Sequence, residues 1–389
     1  MKPLLPTFGL LGALLALGLW LRPPAVPPNP APLTIDAALG ETSRDHGYEK
    51  AREHRTFHFP RDHGPHPEFR QEWWYVTGNL ATPDGKRHFG YQLTLFRIGL
   101  QADPPPPGSS AWRTNALHLG HLALSDIGSG RFHHFQRLIR PALGMAGADA
   151  EPFRVWLGDW SLGIDGGTTE QPRFKLVAAQ EGIALDLTLE ATKPVVLQGE
   201  QGLSRKSATR DTASYYYSLT RLATAGEIRV GEERHVVAGS SWFDREWSTS
   251  ALTPEQAGWD WFALQLDDGR ELMFYRMRLK NGQDDPASQG TWIGTDGRSA
   301  RLERSQWRQR ESGHWTSPKT GNRYPSGWEI ELPEHDLAFE VTPRLVDQEL
   351  TDAALHYWEG AVTVRGRSKG APIAGVGYVE LTGYGPATP

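Results

Sequence analysis

The 389-residue chain contains no cysteine. Disulfides, thiol nucleophiles, thiolate metal centres and the modified cysteine of a lipoprotein are therefore excluded. A basic excess is also missing: 41 Lys and Arg stand against 46 Asp and Glu, a formal net charge of −5. That balance lacks the electrostatic footprint of a nucleic-acid-binding protein. Past the N-terminal region no long stretch repeats apolar residues with a helical period, so an all-β fold is expected.

The one long apolar run is Leu4 to Leu21, preceded by Lys2 and followed by Arg22 and the proline-rich stretch Pro23 to Pro32. Its length lies between a signal peptide and a short membrane anchor, and no small-x-small cleavage site is visible near Arg22. Either way the bulk of the chain is expected to be exported, periplasmic or secreted, with an inner-membrane anchor as the alternative. This gives a targeting segment over 1–22 and a linker over 23–47.

What the chain has in quantity is Gly (42), Pro (29) and Trp (15), a composition that suits many short strands joined by turns. The organising stretch is Gln71-Glu72-Trp73-Trp74-Tyr75-Val76-Thr77-Gly78-Asn79-Leu80. The turn Pro83-Asp84-Gly85 follows, then a second arm from His88 to Arg97. Aromatic and β-branched residues around Asp-Gly predict a hairpin. In the second arm Phe89, Tyr91, Leu93 and Leu95 share one face, the period of a strand with one side in a core. A shorter copy returns at Trp259 to Leu266, Asp267-Asp268-Gly269 and Glu271 to Arg278. The repeat predicts two related β domains, 48–235 and 236–389, joined near Gly231 to Gly239.

Ser214-Tyr215-Tyr216-Tyr217-Ser218 and Ser241-Trp242-Phe243-Asp244-Arg245-Glu246-Trp247 are two further strong strands, and Gly377-Tyr378-Val379-Glu380-Leu381-Thr382-Gly383-Tyr384 closes the chain. With Glu72-Trp73-Trp74-Tyr75, these motifs resemble the AttH-like secreted proteins, relatives of the carotenoid 1,2-hydratases, over about Thr56 to Tyr384. The resemblance implies two tandem lipocalin-like antiparallel β-barrels. Members are often labelled secreted hydrolases, and some are encoded beside export-type ABC transporters.

The hydratases carry a His-x-Trp pair and then a Tyr-x-Asp pair. By spacing these fall on Tyr215-x-Tyr217 and Trp242-x-Asp244, and only Asp244 matches in identity. A carboxyl in an apolar cavity has a raised pKa and can hand a proton to a double bond, while aromatic faces stabilise the cation that forms. Asp244, Trp242, Tyr215 and Tyr217 are therefore the candidate catalytic set, on facing sides of adjacent strands, with Tyr216 and Phe243 pointing away. The bland alternative is that Asp244 is locked in an ion pair with Arg245 or another arginine. Glu72, Trp73, Trp74 and Arg245 are the candidate ligand-binding set, against the alternative that Glu72 ties down its strand by pairing with Arg97 or Arg245.

No metal or cofactor is assigned. His118 and His121, three apart on a strand, face opposite sides; His63-x-x-His66 implies no third ligand. Gly239-Ser240-Ser241-Trp242-Phe243 lacks the second glycine of a nucleophile elbow. Three functions stay open: a carrier of a hydrophobic lipid or isoprenoid-like ligand, accessory to an ABC transporter; a hydratase or lyase acting on an isoprenoid-like alkene through Asp244; and a secreted hydrolase. The environment of Asp244 separates the first two.

Overall fold

The computed structural model describes residues 45–208, 212–249, 252–351 and 356–385. The expected targeting segment and most of the proline-rich linker lie outside them. Among the described residues the helical pieces are three-residue 3-10 turns such as Arg61–His63 and Pro333–His335; everything else regular is antiparallel β.

The first sheet has 13 strands: β1 (Gln71–Ala81), β2 (His88–Gly99), β3 (Ala116–Asp126), β4 (Arg131–Ile139), β5 (Ala146–Ala150), β6 (Phe153–Leu157), β7 (Trp160–Gly167), β8 (Pro172–Gln180), β9 (Ile183–Ala191), β10 (Val196–Leu197), β11 (Leu203–Arg205), β12 (Ala213–Val230) and β13 (Glu233–Ser248). The second has ten: β14 (Gln256–Leu266), β15 (Glu271–Leu279), β16 (Gln289–Ile293), β17 (Ser299–Glu303), β18 (Arg308–Thr316), β19 (Arg323–Leu332), β20 (Leu337–Pro343), β21 (Glu349–Leu350), β22 (Tyr357–Ser368) and β23 (Ala371–Leu381). Both sheets curl into lipocalin-like barrels, as the family resemblance implied.

Both predicted hairpins form. β1 pairs with β2 from Gln71↔Ile98 to Ala81↔His88, and β14 pairs with β15. Their turns depend on Gly85 at φ +69° and Gly269 at φ +85°, a region where a side chain strains the backbone. The repeat extends to position in the sheet. β1 lies between β2 and β13, the last strand of its sheet, and β14 lies between β15 and β23, the last strand of the other. Trp73 consequently faces Glu246 across β1–β13 as Trp261 faces Glu380 across β14–β23.

The passage between sheets is not where the sequence suggested. Gly231 (φ +62°) sits in the turn of the β12–β13 hairpin, so Gly231 to Gly239 belongs wholly to the first sheet. The chain changes sheet after Ser248, in the segment before Gln256. A glycine-rich stretch marks a turn equally well inside a domain or between two.

Alternation divides β1, β12 and β13 into two faces. Trp74, Val76, Tyr217, Leu219, Phe243 and Trp247 fill the first barrel with Leu122, Trp160 and Phe174. Each such fully buried side chain contributes roughly 1.5–3 kcal/mol. The opposite face carries Tyr75, Tyr216 and Trp242, which pack with Trp261, Met273, Tyr275 and Tyr378 of the second sheet in a separate core. Polar ties cross this layer: Gln265 Nε2 donates to the Thr220 and Ser241 carbonyls at 2.8 and 3.0 Å, and Asn79 Nδ2 to the Gly377 carbonyl at 3.1 Å.

A candidate acid site in a cavity between the sheets

The inter-sheet core does not close completely. It leaves a cavity of about 110 Å3 walled by β1, β2, β3, β12 and β13 on one side and β14, β15, β22 and β23 on the other. Aromatic side chains such as Trp73, Phe96, Trp259 and Trp261 form much of the lining. Into this apolar space project four carboxyls, Asp244, Glu246, Glu359 and Glu380, and one ammonium, Lys206.

Asp244 is 4% exposed. Its Oδ1 accepts from Trp242 Nε1 at 2.7 Å and from Ser218 Oγ at 2.5 Å, and its Oδ2 accepts from the Tyr216 hydroxyl at 2.7 Å. Trp261 Nε1 in turn donates to the Tyr216 oxygen at 3.2 Å. No ion pair reaches Asp244 among the described residues, so the arginine lock weighed against a catalytic role is absent. Burial pushes its carboxyl up to about 7, although the Ser218, Tyr216 and Trp242 donors oppose the rise. At neutral pH such a group is present in both protonation states.

Register explains which tyrosine is used. Ser218 lies directly opposite Asp244 and Tyr216 opposite Glu246, so the even-numbered residues of β12 share the cavity face with Trp242, Asp244 and Glu246. Tyr216, expected to point away, is therefore in the site. Tyr215 and Tyr217, expected beside Asp244, lie on the barrel-interior face instead. The Tyr217 hydroxyl meets His63 Nδ1 at 2.6 Å, and the Tyr215 hydroxyl donates to the Glu53 carbonyl at 2.8 Å. Phe243 points away, as expected.

The ligand-binding set divides the same way. Trp73 lines the cavity. Glu72, Trp74 and Arg245 lie on the other face, inside the first barrel. Glu72 is fully buried and pairs with both Arg97 and Arg245. Burial alone would raise its pKa, but the two guanidiniums prevail and hold it at about 2. Arg245, 0% exposed, also donates to the Gly64 carbonyl at 2.6 Å and stacks over Trp74 at 4.1 Å. This is a buried structural ion cluster and forms no wall of the cavity.

Sequence reasoning missed Glu246, Glu359, Glu380, Lys206, Tyr75 and His121 as cavity residues. Glu246 was within reach, being two residues beyond Asp244 on one strand face. Glu380 was within reach through the hairpin repeat, which sets it beside Trp261 as Glu246 is set beside Trp73. Lys206 Nζ pairs with Glu246 Oε1 at 2.8 Å. Burial disfavours that ammonium, yet Glu246 outweighs burial and raises its pKa. His121 Nδ1 meets the Tyr357 hydroxyl at 2.6 Å and Nε2 meets Gln136 Oε1 at 3.2 Å. Burial lowers this imidazole to about 4, so it is neutral, with Nδ1 assigned as acceptor by the pairing. His118 pairs across the ladder with Arg97, on the opposite face of β3 from His121. No group of three His, Asp or Glu among the described residues is placed to hold a metal ion.

The AttH-like family model matches residues 50–384. The chain belongs to the AttH-like family. A solved structure from Nitrosomonas europaea, described as a candidate AttH protein, is 34% identical, covers 86% of this chain and 99% of its own, and superposes with a TM-score of 0.75. Kievitone hydratase from Nectria haematococca shares 16% identity over 87% of this chain and 98% of its own, with a TM-score of 0.63; at that identity the likeness concerns the fold. No curated protein matches the chain in sequence. The paired AttH-like barrels thus bring the acid-lined cavity to the seam between the two sheets.

Proposed function

We propose that this AttH-like protein is a hydro-lyase that adds water to, or removes it from, a carbon–carbon double bond of a hydrophobic, isoprenoid-like compound bound between the sheets. The observation that carries the reading is the Asp244 carboxyl, seated in an apolar cavity wall with three neutral donors and no cationic partner. In the hydration direction the protonated carboxyl gives its proton to one alkene carbon, forming a C–H bond and leaving a cation on the other. Trp73 and Trp261 present aromatic faces to that cation. Water then forms the C–O bond and gives up a proton. Glu246, on the same strand face as Asp244 and held against Lys206, is the adjacent carboxylate to receive it. The fold likeness to a hydratase is consistent with this chemistry.

A carrier role is the second reading, favoured by the aromatic lining of the cavity. In either reading the protein works outside the cytoplasm, in concert with an ABC transporter. That part rests on the apolar N-terminal run and the family resemblance. The test begins with compounds that co-purify with the protein, identified by mass spectrometry. Each is incubated in deuterated water with wild type and with Asp244→Asn. The hydro-lyase reading expects gain or loss of one water with deuterium at the new C–H bond, abolished in the variant. Binding without deuterium incorporation in wild type sinks it and leaves the carrier.

A further inference from the structure

Across the cavity from Asp244 the second sheet sets two acids side by side, the buried Glu359 and the half-buried Glu380, which meets the Trp259 side chain. Glu359 on β22 and Glu380 on β23 are direct partners in the ladder, so their side chains stand on one face with Cβ atoms ~5 Å apart. Both line the cavity. Other buried glutamates among the described residues have charged or hydroxyl partners. Glu72 has two arginines, Glu271 has Lys193 and Arg221, and Glu349 accepts from Thr320 and Tyr324. Glu359 is different. It is 2% exposed, and neither carboxyl oxygen has a hydrogen bond of good geometry. The Tyr75 hydroxyl on the facing sheet stands within reach of its carboxyl, as the Tyr357 hydroxyl does, and is likewise buried without a bond of good geometry. Glu359 and Tyr75 therefore face an apolar space with hydrogen-bonding capacity to spare, a costly arrangement unless a ligand completes it.

We propose that Glu359, Glu380 and the Tyr75 hydroxyl form an oxygen-recognition subsite that takes a carbonyl or hydroxyl oxygen on an otherwise apolar ligand. The proposal needs the cavity to be the ligand site and does not need any reaction at Asp244. The neighbouring charges decide the protonation. Burial first, then the mutual repulsion of the pair, raises Glu359 well above the usual carboxylate range; burial, with Glu246 and Asp244 adding, raises Glu380 to about 8. Among the described residues the cation that lines this cavity, Lys206, is held by Glu246. His121 is neutral and bound to Tyr357. At neutral pH the pair accordingly keeps its protons and donates, as a carboxylic acid kept neutral in an apolar pocket does. An ammonium group would need the opposite state, with the carboxyls ionised within the aromatic walls.

Three probes of one shape separate these cases: acetylnaphthalene, ethylnaphthalene and naphthylethylamine, titrated into the full-length protein by quenching of tryptophan fluorescence. The ketone is expected to bind about tenfold more tightly than the hydrocarbon at pH 6 to 7, the increment of one good buried hydrogen bond. That preference should weaken above about pH 8, as Glu380 ionises. Glu359→Leu and Tyr75→Phe, which remove a donor, should each cut the ketone-over-hydrocarbon ratio several-fold, whereas Glu359→Gln, which keeps a neutral donor, should hold it. Equal binding of ketone and hydrocarbon by wild type overturns the proposal, as does failure of all three probes to bind. An amine that binds best, with affinity rising with pH, also overturns it and assigns a cation site instead. Loss of turnover in Asp244→Asn with the ketone preference intact would separate this subsite from the proposed reaction.

Discussion

The Tyr216 hydroxyl donates to Oδ2 of Asp244 across 2.7 Å, joining β12 to β13 on the face that looks toward the second sheet. The bond places the proton-holding carboxyl beside the aromatic wall and leaves Tyr217, one residue away, in the core of the first barrel.

Asp244→Asn is expected to fold, because the replaced group is near neutral at its burial site and has no counter-ion to strand. Its Oδ1 still accepts from Trp242 and Ser218, so the cost should stay within about 1–2 kcal/mol of unfolding free energy. Turnover of the co-purified ligand should fall by about 100-fold or more, as for loss of a general acid. Urea unfolding beside activity decides it: a large stability loss with turnover preserved would make Asp244 scaffold.

Tyr216→Phe and Tyr217→Phe should behave differently although the residues are neighbours. Removing the Tyr216 hydroxyl strips a donor from Asp244, raises its pKa further and should move the alkaline limb of the pH–rate profile upward. Removing the Tyr217 hydroxyl frees His63 Nδ1 inside the barrel and should leave that profile in place. Identical shifts in both variants would contradict the face assignment.

Glu72 and Arg245 should prove structural. Arg245→Met leaves Glu72 with Arg97 alone in a fully buried site and should cost about 3–5 kcal/mol, the usual penalty for breaking a buried pair. Probe binding in the surviving folded fraction should match wild type. Weakened binding with unchanged stability would return these residues to the ligand site.

Stability should decline between about pH 6.5 and 8. Asp244, about 7 in the fold, and Glu380, about 8, both ionise far lower when unfolded. Over that window the folded state holds more protons than the unfolded state, so each rise in pH favours unfolding, by up to ~1.4 kcal/mol per unit for each such group. The buried histidines act the other way at lower pH: His63 at about 3 and His121 at about 4 stay neutral while their unfolded counterparts charge below about 6.5. Glu380→Gln should flatten the alkaline decline and also steepen the rise on the acid side, because its term runs from the unfolded carboxylate value of about 4.3 up to about 8. Denaturant midpoints at stepped pH measure both.

The sequence by itself determined the β architecture, the two hairpins and the candidate acid. Alternation in His88 to Arg97, glycines at Gly85 and Gly269 and the repeated Trp-aromatic pattern are local signals, and local signals survive in a single chain. The twin placement of β1 and β14, and the common face of Trp242 and Asp244, follow from them.

Only the tertiary structure decided which residues meet. Whether Tyr216 or Tyr217 faces Asp244 depends on the register of two long strands whose pairing shifts between Leu219 and Leu222. One residue of slip exchanges every side chain between faces. The partnership of Glu359 with Glu380, and their approach to Tyr75 from another sheet more than 280 residues earlier in the chain, leave no local trace. The cavity exists because two amphipathic sheets bury their second faces against each other, and the fit between those faces is set by packing, which no short stretch of sequence encodes.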